Sequence, residues 1–117
     1  MSGIRFENQT RWMVRNWTFE HFMNEVIKDQ RHYPDVAEIC HLAVYHNGLH
    51  LDSIRINKGP VADRVFVALE KTTARLLAED QETLPKVGAD AVGRELILGD
   101  VARLSELLEH VRETKNK

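Results

Sequence analysis

The chain has a single cysteine, Cys40, in 117 residues, so it cannot brace itself with an internal disulfide, and a disulfide-stapled secreted scaffold is excluded. Long apolar runs are missing as well: none approaches the roughly 20 residues that cross a bilayer. The start, Met-Ser-Gly-Ile-Arg-Phe-Glu, lacks the apolar stretch of a signal peptide. These absences lead to the expectation of a soluble, cytoplasmic protein with no membrane partner. An excess of one charge is also lacking. Sixteen basic and eighteen acidic side chains leave a formal net charge of −2, which gives no overall steering toward nucleic acid.

Glycine is sparse and scattered. None of Gly48, Gly59, Gly88, Gly93 and Gly99 stands in a Gly-x-Gly-x-x-Gly or Gly-Lys-Ser/Thr setting, so a phosphate-cradling loop is not encoded. Ser2, Ser53 and Ser105 lack the Gly-x-Ser-x-Gly elbow of a nucleophilic serine. Cys40 has no neighbour that would lower its pKa, and its place in an apolar pattern reads as a buried small hydrophobe.

What is present is an ordinary globular composition, 43% hydrophobic and 29% charged, at the length of one domain with its own core. The expected fold is mainly α: an antiparallel bundle of about four helices over residues 18–31, 34–57 with a break near 47, 60–79 and 100–114. Residues 1–16 would form an extended arm or short hairpin, and 112–117 a frayed tail. Phe19, Phe22, Met23, Val26 and Ile27 recur at helical spacing, with Thr18 as N-cap and Trp17 stapled onto Phe22. Pro34 opens the second helix, with Val36, Ile39, Cys40, Ala43 and Val44 inward.

Asn47-Gly48 is ambiguous. It can cap a helix, interrupt a longer one, or close a hairpin between 42–46 and 49–54, which would make the fold α+β. Asn57-Lys58-Gly59-Pro60 is a strong stop. Val61, Val65, Ala68, Leu69, Thr72 and Leu76 share one face of a broad apolar helix that belongs at the centre. Residues 82–90, with Pro85 and Gly88, read as a loop, leading to a short piece over 92–98. Gly99 should end that piece and Asp100 should cap the last helix, which carries Val101, Leu104, Leu107, Leu108 and Val111.

Five of the six histidines and seven of the eight aromatic residues precede residue 51, so unusual chemistry concentrates in the first half. Glu38-x-x-His41 and His21-x-x-x-Glu25 have the spacing of di-iron ligands, yet both pairs fall opposite their helices' apolar stripes and should face solvent. His46 and His50 would lie one turn apart on a continuous helix, a geometry suited to a surface zinc, but no third ligand is in sequence reach. No metal and no cofactor is therefore expected. Arg5, Phe6, Arg11, Trp12, Arg15 and Trp17 alternate cations with rings, as a single-strand nucleic-acid surface would, and only Glu7 offsets them. With balanced overall charge, that pattern suits rings roofing one end of the bundle better than a nucleic-acid site.

By elimination, the expected function is a non-enzymatic binding or regulatory protein that contacts another protein or itself. An immunity protein, an antitoxin or an accessory protein of a mobile element has this character. The expected surface is Arg11, Trp12, Arg15, His46 and His50, because interfaces favour tryptophan and arginine. The alternative is a small enzyme or a metal- or ligand-binding bundle using first-half histidines with Glu20, Glu25 or Asp29.

Overall fold

A computed structural model describes residues 1–6, 10–82 and 88–115. Among the described residues, three strands and five helices run in the order β1 (Ser2–Arg5), β2 (Arg11–Val14), α1 (Asn16–Asp29), α2 (Pro34–His46), β3 (Gly48–His50), α3 (Leu51–Lys58), α4 (Pro60–Glu82) and α5 (Gly88–Lys115). The mainly helical architecture is as the apolar periodicity requires. Phe22, Val26, Cys40, Val65, Leu69, Leu76, Leu104 and Leu108, each central in its helix's stripe, are all buried. The wide stripe of α4 meets α1, α2, α3 and α5, which makes it the central helix.

The N-terminal arm is a folded part of the domain. β1 lies between its neighbours in the sheet order β2-β1-β3, antiparallel to β2 and parallel to β3. Strand alternation sends Ile4, Trp12, Val14 and Leu49 into the core. Gly3, Arg5, Arg11, Met13, Gly48 and His50 occupy the opposite, outer face. The polar stretch 7–9 lies outside the described residues.

Several local expectations need correction. Helix α1 begins at Asn16, with Arg15 in extended conformation as its N-cap residue, so Thr18 sits buried inside the first turn. The break near residue 47 exists, but the chain leaves α2 as a strand paired with β1, neither a continued helix nor a hairpin with 42–46. Asn47, at φ 58°, takes the left-handed turn there, a conformation asparagine tolerates better than most residues. Gly59, at φ 57°, makes the stop before Pro60 as expected.

Gly99 does not end a helix, since α5 runs unbroken from Gly88 to Lys115. A glycine inside a helix costs only about 1 kcal/mol relative to alanine, less than is gained by burying even one large apolar side chain. Val101, Leu104, Leu108 and Val111 are buried together, and Ile97, before the glycine, packs on the same core. Of the expected loop, 88–90 is helical and 83–87 lies outside the described residues. At the other end, Arg112 is held rather than frayed: its Nε donates to Glu70 at 2.7 Å, and its guanidinium carbon lies 5.3 Å from the Phe66 ring centroid.

Burial pushes the Cys40 thiol pKa up to about 12, so at pH 8 about one thiol in ten thousand is the reactive thiolate. Iodoacetamide at pH 8 is expected to leave Cys40 intact in the folded protein and to alkylate it in urea. Equal rates in the two states would show that α2 is not seated on the core.

Candidate functional site

The two tryptophans exchange the roles expected of them. Trp12 is 0% exposed, sits edge-on to Phe22 with ring centroids 5.4 Å apart, and donates its indole N–H to the Asp100 carbonyl at 2.9 Å. It cannot serve as a surface anchor, because the two-residue period of β2 points it inward beside Val14. Trp17 is 45% exposed instead, with the Arg15 guanidinium carbon 5.8 Å from its ring centroid. Of the expected surface, Arg11, Arg15, His46 and His50 are exposed.

The structure brings His46 and His50 to one place. The C-terminal half of α2, the edge strand β3 and the helix α3 enclose a groove of about 440 Å³. Its floor is Ile39, Ala43 and Leu49, all buried, with the half-buried Ile54 on one side. The polar rim is His46 from α2, His50 from β3, and Ser53, Asn57 and Lys58 from α3. Every ionisable side chain in that lining is basic. Leu42, 47% exposed, forms the ridge between this groove and a shallow trough of about 670 Å³ on the outward side of α2, beside Glu38, His41 and Tyr45. Tyr45 is 81% exposed, its ring edge-on to His46 at 5.1 Å.

The sheet carries the basic character onward from the groove. Arg5 is the register partner of both Arg11 on β2 and His50 on β3, so three basic residues form one row across the outer face. Like charges set opposite one another on neighbouring strands oppose pairing. Asp52, 3.7 Å from Arg5, offsets part of this row. The row was not visible in the sequence, where Arg5 and His50 are far apart. No protein-family model, curated protein or solved structure matches this chain. The site rests on its own residues.

The His and Glu pairs with metal-ligand spacing do not converge. His21, Glu38 and His41 face solvent as their helical positions require. Glu25, expected beside them, is half-buried against α4, because Arg75 draws it there together with Asp29. Arg75 lies 3.6 Å from Glu25 and 3.0 Å from both Asp29 and Glu79, and Thr72 donates to Asp29 at 2.8 Å. Burial lowers the Arg75 pKa, but the hydrogen bonds to Asp29 and Glu79 and the charges of Asp29 and Glu25 outweigh it and hold the pKa above its ordinary value. Glu25 and Asp29 are therefore committed to a cross-helix ion cluster. Among the described residues, no three of His, Cys, Asp and Glu stand where they could share a metal ion. No helix of the described residues is long and apolar enough to cross a membrane.

Proposed function

We propose that this is a non-enzymatic binding protein that acts by contacting another protein through the outward face of α2 and the groove beside it. The observation that carries this reading is a pair of large hydrophobic side chains left exposed on the outward side of α2. Its inner face, Val36, Ile39, Cys40 and Ala43, is already spent on the core, yet Leu42 and Tyr45 stand out into water. Tyrosine buries much area while ordering few torsions, so it contributes heavily at interfaces. Hollows on both sides of the Leu42 ridge supply the concave relief that a complementary surface needs. An immunity, antitoxin or accessory role suits such a surface.

A photo-crosslinking residue in place of Tyr45, introduced in the native host, tests the reading. The expected result is an adduct with one discrete protein, or with a second copy of the chain, which Leu42→Glu abolishes. On the purified complex, Tyr45→Ala should weaken binding by about 2 kcal/mol. An adduct obtained from position 106 on α5 but not from position 45, or none from either, would overturn it.

A further inference from the structure

The groove and the outer sheet face form one continuous basic surface. Lys58 and His50 share the groove, His50 is the register partner of Arg5, and Arg5 is the register partner of Arg11. Among the described residues, the groove lining contains no carboxylate, and Asp52 beside Arg5 is the single acidic group ion-paired to the row. Charge thus selects an anionic occupant, although the chain as a whole carries −2. The groove also contains the unpaired edge of a sheet. Backbone groups alternate sides along a strand, so at least one of the three residues Gly48–His50 directs its N–H and C=O away from β1.

Resting on the protein-binding reading above, we infer that the occupant is an extended acidic segment of the partner protein, added as a strand along β3. One apolar side chain of that segment sits on Ile39, Ala43 and Leu49, and its carboxylates meet Lys58 and His50, with Arg5 one strand further in. The other shapes fit less well. A helix has its backbone groups bonded within itself and leaves the edge of β3 without a partner. A small molecule would lie open to water, since His46, Asn47, His50, Asn57 and Lys58 on the rim are all exposed. Single-stranded nucleic acid needs a run of rings for its bases, and of the three that alternate with the arginines along the chain, Phe6 and Trp12 are in the core and Trp17 alone is exposed.

The test uses the whole protein and a phage-displayed library of random octapeptides. Selected clones should carry several Asp or Glu residues beside Val, Ile or Leu. The best clone, synthesised with a fluorescein label, should bind with anisotropy that falls in both His50→Glu and Lys58→Glu, each weakening the complex by roughly tenfold or more. Both positions are exposed, and circular dichroism confirms that each variant is folded. Raising salt from about 0.05 M to about 0.5 M should weaken binding comparably. Hydrogen exchange at Gly48–His50 should slow in the complex. Basic or uncharged consensus peptides, no enrichment, indifference to both charge reversals, or equal affinity for a labelled octathymidylate would overturn the inference. If the selected peptides lose affinity in Leu42→Glu but not in Lys58→Glu or His50→Glu, the protein-binding reading stands and the acidic-strand inference fails. Absence of any cross-linked adduct from position 45 in the otherwise unaltered protein is the separate failure of that broader reading.

Discussion

Trp12→Ala should cost about 3 to 5 kcal/mol, a large part of the roughly 5 to 15 kcal/mol that stabilises a domain of this kind. Three losses coincide. The indole is fully buried, so its removal leaves a cavity that the tightly packed β2, α1 and α5 cannot close. Its edge-to-face contact with Phe22 disappears. Its N–H no longer reaches the Asp100 carbonyl, the hydrogen bond that ties the sheet to the middle of α5. Urea unfolding of Trp12→Ala and Trp17→Ala side by side is the measurement. Trp17→Ala should change stability by about 0.5 kcal/mol or less, as exposed positions do. Trp12→Phe should fall between, retaining a ring without its hydrogen bond. If Trp17→Ala proved the more damaging, the sheet would not be docked on the helices as described.

The reversal of the two tryptophans shows which parts of the fold can be read from local spacing. Phe19, Phe22, Met23 and Val26, or Val65, Leu69, Thr72 and Leu76, recur within a few residues of one another, so a helical face declares itself from neighbours alone. β3 gives no such signal. It is three residues long, and what makes it a strand is β1, whose Ile4 lies opposite Leu49 in the register. Trp12 and Val14 do show the two-residue alternation of a half-buried strand, but without a partner that pattern does not say which face is inside. The unbroken α5 reflects the same limit. The penalty at Gly99 is local and visible, whereas the packing of Ile97 and Val101 on the core that outweighs it is neither.

The candidate site divides in the same way. His46 and His50 stand out as chemistry-bearing residues, and Tyr45 lies off the inward stripe of α2, so its exposure was available to helical geometry. Arg5 and Lys58 join them only through the strand register and the position of α3. Their separation along the chain concealed the basic surface.

Gly3→Ala is expected to destabilise the protein by about 3 kcal/mol, the upper range for forcing extra volume into a packed site. A methyl group there would stand 1.9 Å from the Trp12 carbonyl oxygen, far inside van der Waals contact, and 2.8 Å from the Met13 sulfur. The methionine side chain can turn away, but the carbonyl belongs to the backbone of β2, which is anchored by the buried Trp12 and Val14 side chains. Relief therefore requires β1 and β2 to separate. Because β1 is the middle strand, that movement disturbs β3 and the groove beside it too. Gly48→Ala is the informative control. Gly48 stands beside the turn, yet Asn47 takes the left-handed conformation, and a methyl group at Gly48 would meet nothing nearer than 3.7 Å. Its substitution should change stability by about 0.5 kcal/mol or less. Thermal unfolding of both variants, read by circular dichroism, decides between them. A Gly3→Ala variant as stable as the parent would mean that β1 does not lie so close against β2, and the cross-strand row of Arg11, Arg5 and His50 would lose its geometric basis.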